Sequence, residues 1–185
     1  MTTTRTIRFL LVLFCLVGAV CAQAIELSVN AELGFLSAGD HRLGTRFMAE
    51  LGPDFFDIPE PPHAPSDYLS LSFALPEPGN VFPNRWRADF RPEGVLNDGT
   101  EFWELHIESD HFGAMAMVSV DLIEGPWFEI QVFIIGPGGR QRAELPVNFV
   151  VPIESGHEIR WIELEYNSPI ALENTTWSVL KSLYR

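Results

Sequence analysis

Apolar side chains recur at every second position along most of this chain, and a period of two is the pattern of β-strands. Comparable runs occur at 25–33, 69–75, 86–90, 103–107, 116–122, 128–134, 145–153 and 162–166. Such alternation gives each strand one apolar and one polar face, which is typical of antiparallel sheets. Turn-forming segments such as Asn97-Asp98-Gly99 and Gly136-Pro137-Gly138-Gly139 separate the runs.

The strand pattern predicts an all-β domain over residues 25–174. We expect an antiparallel β-sandwich of about eight or nine strands, immunoglobulin-like or jelly-roll in order. Ile159 and Trp161 fall on the opposite phase from Ile162 and Leu164, which predicts a β-bulge near Trp161.

Two segments lack the alternation. Residues 34–66 are rich in proline towards their end, and we expect an irregular strap there, extended like polyproline II. Residues 175–185 form a tail in which a short helix is predicted. Three apolar residues would share one face of that helix and dock it, namely Trp177, Leu180 and Tyr184.

The amino terminus has the three parts of a secretory signal peptide. Arg5 and Arg8 precede an apolar run from Phe9 to Val20, and small residues follow at Ala22 and Ala24. The apolar run is about 12 residues long, which is too short to cross a bilayer. We therefore expect a cleaved leader over residues 1–24, with the cut after Ala22 or Ala24. The mature chain is expected in the periplasm, the cell envelope or the medium, with no membrane span.

Charge and cysteine content exclude several classes of function. Both cysteines, Cys15 and Cys21, lie in the predicted leader, so a mature chain would have neither a disulfide nor a thiolate nucleophile. The formal net charge of −13 at pH 7 argues against binding to nucleic acid, because that needs a basic surface.

Three segments resemble a β-sandwich domain of secreted bacterial proteins, often found upstream of type IX secretion sorting regions. They are GPDFFDIPEPPHAPSDYLSLSF at 52–73, NRWRADFRP at 84–92 and FWELHIES at 102–109. In that family an acidic, proline-rich strap with the pattern DIPEPP leads into a strand. An Asp-x-Arg strand and a strand that begins with Trp follow, here at Asp89 and Trp103. The resemblance covers roughly residues 44–166 and implies an immunoglobulin-like sandwich of unassigned function.

Outward aromatic residues are the best candidates for ligand contact. Trp127 and Phe133 share the phase of the polar residues Glu129 and Gln131. Exposed aromatic rings can stack on sugars or contact a protein. The alternative is that the strap or the tail covers them.

The sequence gives little support for catalysis or for a bound metal or other cofactor, and none is predicted. Glu104 and Glu108 alternate with core residues and are expected to face water together with Asp121. A catalytic carboxylate normally needs a cleft. The five histidines match no metal motif, and the spacing of Asp54, Asp57 and Glu60 matches no known calcium loop. Arg85, Arg87 and Arg91 are expected to pair with Glu104 and Glu108 across strands.

These observations favour a non-catalytic exported domain that binds another protein or takes part in extracellular assembly. The alternative is a carbohydrate-binding module that uses Trp127 and Phe133. A small polysaccharide hydrolase ranks third.

Overall fold

The computed structural model of the chain describes residues 24–75, 84–92, 100–125 and 130–166. Every helix or strand within these segments is a β-strand, which confirms the all-β prediction. The strands are β1 (Ile25–Leu33), β2 (Leu36–Arg46), β3 (Ile58–Pro59), β4 (Leu69–Ala74), β5 (Trp86–Pro92), β6 (Thr100–Ser109), β7 (Met115–Glu124), β8 (Ile130–Gly136), β9 (Gly139–Ala143), β10 (Val147–Pro152) and β11 (His157–Tyr166). The predicted leader, apart from Ala24, and the predicted tail lie outside these segments.

The strands form one mixed sheet that is nearly barrel-shaped. Its order is β10-β7-β1-β2-β5-β4-β6-β11-β8-β9, and β3 pairs with β5 beside this path. Strands β2 and β5 run parallel, with Arg42 opposite Ala88 and Arg46 opposite Pro92. The other pairings are antiparallel. The sheet therefore has more strands than the eight or nine predicted and is not antiparallel throughout.

Strand β2 corrects the prediction that the whole of 34–66 is irregular. It pairs with β1 along its length, but its register shifts, so that Val29 lies opposite His41 while Ala31 lies opposite Ala38. The one extra residue in β2 changes which side chains face inward, so the buried residues Ala38, His41 and Leu43 do not follow a period of two. This bulge hides the strand from a search for period two.

The core follows the predicted alternation closely. The inward residues of β1, β4, β6, β7 and β11 form one apolar cluster, with Leu27, Phe73, Trp103, Val118 and Ile162 among its members. All five side chains are fully buried. The curved sheet thus encloses this main apolar cluster, and a second, smaller cluster consists of Ala49, Ala88 and Phe90, with Phe56 packed against it.

The predicted bulge near Trp161 is absent. Strand β11 pairs with β6 in unbroken register from His157 to Glu165. Ile159 and Trp161 consequently point away from the core and are 41% and 39% exposed, while Ile162 and Leu164 are buried. These two apolar side chains therefore lie on the outer surface of the sheet.

Gly44 marks a close approach of two strands. It lies opposite Glu26, and a Cβ atom there would come within 1.8 Å of the carbonyl oxygen of Ile25. Its φ of +154° is also unfavourable for other residues. Because residue 44 is a glycine, the end of β2 can lie this close to β1.

Candidate functional site

The segment after β2 exposes five large apolar side chains within 12 residues. We call residues 47–58 the apolar loop. Between 44% and 76% of each of these residues is accessible to solvent. They are Phe47, Met48, Leu51, Phe55 and Ile58. Single exposed apolar residues are ordinary, but a concentration of them is typical of a binding surface.

Two aspartates fix the backbone of the apolar loop. Asp54 accepts hydrogen bonds from the amides of Glu50 (2.7 Å) and Phe56 (2.6 Å). Asp57 accepts from the amides of Asp54 (3.0 Å) and Phe90 (3.1 Å). The loop thus holds a defined shape although its apolar side chains face solvent.

Asp57 is also unusual electrostatically. Burial raises its pKa from 3.8 to about 6, and the nearby carboxylates of Asp54 and Asp89 act in the same direction, while the amide hydrogen bonds from Asp54 and Phe90 oppose the shift. The carboxyl group at the base of the loop therefore changes charge at mildly acidic pH.

Arg46 anchors the amino-terminal end of the loop. Its guanidinium lies 4.0 Å from the ring centre of Phe90 and 5.5 Å from that of Phe56. It also donates a 2.6 Å hydrogen bond to Glu26. Burial alone would raise the pKa of Glu26, but the bonds from Arg46 and Arg42 outweigh it and hold that pKa below its ordinary value.

A buried ion pair lies under the loop on β5. Arg91 and Asp89 have side chains only 2% and 1% exposed and lie 3.2 Å apart. Arg91 also pairs with Glu101, and its guanidinium lies 4.5 Å from the ring of Trp103. Burial raises the pKa of Asp89, and Arg91 opposes that rise. The pair joins β5 to β6.

A second surface is the outer face of β6 and β11, which we call the β6–β11 face. Its residues are Phe102, Glu104, His106, Glu108, His157, Ile159 and Trp161. His106 Nε2 lies 2.7 Å from Glu104 Oε1, and His157 Nε2 lies 2.9 Å from His106 Nδ1. Arg85 lies 3.5 Å from Glu108, so the expected arginine–glutamate pairing is found at this position.

Of the two predicted ligand-contact residues, only Phe133 lies within the described segments, and it is not exposed. Phe133 is buried, only 7% exposed, because the guanidinium of Arg140 lies 3.3 Å from its ring centre. Arg140 is held there by hydrogen bonds of 2.6 and 2.9 Å to Glu163. Phe133 is therefore not available for stacking on a ligand. Trp127, Trp177, Leu180 and Tyr184 lie outside the described residues.

The acidic groups considered from sequence do not converge. Asp121 lies on β7, opposite Ser28 of β1, and several strands separate it from Glu104 and Glu108 on β6. Of the three residues considered for calcium, Asp54 and Asp57 bind backbone amides, and Glu60 lies 3.0 Å from His41. These carboxylates already have local structural partners.

Sequence reasoning did not identify the apolar loop or the two facing histidines. One signal for the loop was present, because Asp54 follows Gly52-Pro53, and an aspartate in a turn often accepts a hydrogen bond from the amide two residues later, here that of Phe56. His106 and His157 are 51 positions apart. Their proximity depends on the pairing of β6 with β11, which a single sequence does not reveal.

Comparisons with known proteins gave no match to a protein-family model, to a curated protein or to a solved structure. Within the described segments, no helix has the length and apolar character needed to span a membrane.

Proposed function

We propose that this chain is an exported, non-catalytic β-domain that binds another protein through the apolar loop. The observation that carries the proposal is the exposure of Phe47, Met48 and Phe55 on a backbone fixed by Asp54 and Asp57. A fixed loop loses little conformational freedom on binding, so more of the apolar burial contributes to affinity.

The charge of the chain defines the partner further. At −13 the protein would repel an acidic partner. Glu50 is exposed beside the apolar residues, and Arg46 is engaged by Glu26. The partner that best complements the apolar loop would therefore present an apolar pocket with basic residues around its rim.

The amino-terminal sequence supports export to the periplasm, the cell envelope or the medium. The immunoglobulin-like or jelly-roll sandwich, and membership of the family with the DIPEPP strap, remain predictions. An intact mass of the protein recovered from its host that begins at Gln23 or Ile25 would support export. A cytoplasmic protein that retains residues 1–22 would contradict it.

The strand β2 offers a matched pair for testing the loop. Phe47 and Phe35 are 74% and 84% exposed and flank opposite ends of β2. At a rise of about 3.3 Å per residue, the two ends of this strand lie roughly 30 Å apart. A photo-cross-linking phenylalanine analogue at either position keeps size and exposure similar and changes only the location.

We expect position 47 to cross-link to a defined partner in the native extracellular fraction, and position 35 to give none. The identified partner is then purified and titrated against Phe47→Ser and Phe35→Ser. Phe47→Ser should weaken binding by tenfold or more, about 1.4 kcal/mol, and Phe35→Ser should not. Equal cross-linking from both positions, or equal affinities, contradicts the proposal.

Carbohydrate binding is the second candidate, favoured by two exposed rings on the β6–β11 face. Trp161 lies opposite Glu104, and Phe102 lies opposite Glu163, so the rings are diagonal neighbours on one face. They are 39% and 42% exposed and have carboxylates beside them. This combination of ring faces and acceptors suits a sugar.

A glycan array separates the two candidates. Carbohydrate binding predicts a retained glycan that is lost in Trp161→Ala and kept in Phe47→Ser. If the array retains no glycan, the carbohydrate candidate is removed and the apolar loop is left as the proposed binding surface.

A further inference from the structure

The β6–β11 face brings together three side chains that bind transition metals. Donor atoms of His106, Glu108 and His157 all lie within 4.8 Å of one another. His157 lies directly across from Glu108, and His106 is two residues along β6 on the same face. Paired strands hold all three backbones, so the cluster does not depend on a loop.

The hydrogen bond from His106 to Glu104 uses the Nε2 atom of the imidazole, which leaves its Nδ1 atom to bind a metal ion. A carboxylate accepts hydrogen bonds, so His106 Nε2 carries the proton that it donates to Glu104 Oε1 at 2.7 Å. The Nδ1 atom of a neutral His106 therefore has a lone pair, and this atom faces His157 Nε2. A carboxylate that orients a ligand histidine in this way is a recurrent feature of metal sites.

The spacing of the two facing nitrogens is close to that of a tetrahedral zinc site. With Zn–N bonds of about 2.0–2.1 Å, two ligand nitrogens lie roughly 3.3 Å apart. Here they are 2.9 Å apart, the distance of a hydrogen bond between the two rings. When His157 carries its proton on Nδ1, both facing nitrogens have lone pairs, and a small rotation of the exposed His157 ring makes room for a metal ion between them.

Glu108 supplies the third donor atom, and Arg85 and His63 lie beside it. Arg85, at 3.5 Å, and His63, at 3.8 Å, both approach Oε2 of Glu108. His63 Nδ1 donates to the carbonyl oxygen of Ala64, so its Nε2, which faces Glu108, has the lone pair. The positive charge of Arg85 opposes a cation, and the carboxylates of Glu104 and Glu108 offset it.

We propose that His106, Glu108 and His157 bind one divalent first-row transition ion, with Zn²⁺ as the best fit and a water molecule in the fourth position. Imidazole nitrogens suit such ions, whereas calcium and magnesium prefer sites built from oxygen. The site is separate from the apolar loop, so its presence or absence is independent of the function proposed above.

The test is titration of the purified, metal-free chain with ZnCl₂ and CaCl₂ by calorimetry, and with CoCl₂ by visible absorption. We expect one Zn²⁺ per chain, no Ca²⁺ at equal concentration, and the intense visible bands of tetrahedral Co²⁺. His157→Ala and His106→Ala should each weaken Zn²⁺ binding about 100-fold or more, and Glu104→Gln about tenfold, since loss of an orienting partner typically costs 10–100-fold.

His111→Ala is the matched control, because His111 lies beside Asp67 and Asp110 and outside the cluster. It should leave Zn²⁺ affinity unchanged. His157 is exposed, so its variant should keep the circular dichroism of the parent. Wild-type protein that shows no shift of the His106 and His157 imidazole NMR signals with Zn²⁺ would overturn the proposal. Equal affinities for His157→Ala and His111→Ala would do the same.

Discussion

The backbone amide of Phe90 donates a 3.1 Å hydrogen bond to Oδ1 of Asp57, and this bond ties the apolar loop to β5. The other oxygen of Asp57 accepts from Asp54 within the loop. One buried carboxyl group therefore fixes both the shape of the loop and its position on the sheet.

Asp57 should make stability depend on pH between about 4 and 6. Its pKa is about 6 in the fold against an ordinary value of 3.8. In this window Asp57 keeps its proton in the folded state but has lost it in the unfolded state. The contribution of Asp57 to the free energy of unfolding therefore falls as pH rises and is lowest above about pH 6. The raised pKa of Asp89 acts in the same sense.

Asp57→Asn isolates this contribution. Asparagine cannot ionise, and its single acceptor oxygen replaces only one of the two amide bonds. We expect the variant to be less stable than the parent at pH 4.5 and the difference to narrow by pH 7. Urea unfolding at pH 4.5, 5.5 and 7 measures it, and a difference that is constant with pH contradicts the raised pKa.

The backbone conformation of Met48 should lower the stability of the fold, so that replacing Met48 by glycine should raise it. Its φ of +68° is left-handed, which costs a residue with a Cβ about 1–2 kcal/mol, whereas glycine adopts it freely. After the greater entropy loss of glycine, about 0.5–1 kcal/mol, Met48→Gly should raise the free energy of unfolding by about 0.5 kcal/mol. The same variant should weaken partner binding.

Phe47→Gly provides the comparison, because Phe47 is equally exposed but does not share the left-handed backbone. It should be neutral or destabilising in urea unfolding. A Met48→Gly protein that is less stable than its parent would show that Met48 is not under backbone strain.

Arg91 should be essential to stability because it neutralises a buried charge. Arg91→Met leaves Asp89, 1% exposed, without its cation, and loss of one partner of a buried pair costs about 3–5 kcal/mol. The double variant Asp89→Asn, Arg91→Met should recover part of that loss. Arg142→Met, at an exposed position, should change stability by less than about 0.5 kcal/mol. Equal effects of Arg91→Met and Arg142→Met in urea unfolding would refute the role of the pair.

Gly44→Ala should be strongly destabilising. The new methyl group would meet the Ile25 carbonyl oxygen at 1.8 Å, and only a shift of β1 against β2 relieves that contact. We expect a loss of about 2–4 kcal/mol, as for other severe backbone conflicts. Gly39→Ala is the control, since its Cβ would meet only the Asn30 side chain at 3.2 Å. Thermal unfolding of the two variants at the same temperature would contradict the contact.

Much of the sheet was predictable because its buried side chains alternate simply. The runs at 25–33, 103–107 and 162–166 all became strands with the expected residues inside. Strand β2 was missed because its bulge shifts the inward phase between Ala38 and His41. Strand β9 was missed because it is polar and exposed, with no apolar period to detect.

The candidate sites were less predictable because they depend on pairing between distant strands. Phe133 has the outward phase of a contact residue, yet Arg140 from the neighbouring strand covers it. His106 and His157 meet only because β6 pairs with β11. The outward phase of a residue can be inferred from its own strand, but what lies beside it depends on strand order, and one sequence does not fix strand order.

Strand β1 has β2 on one side and β7 on the other. The second of these partners is Met115–Glu124, far along the chain, so β1 keeps one unpaired edge until that segment has been synthesised. Folding must then be slow, in the range of milliseconds to seconds typical of sheets built from distant segments. A chain that completes its sheet this late exposes the open edge of β1 to pairing with other molecules while it folds, so aggregation should compete with refolding at high protein concentration.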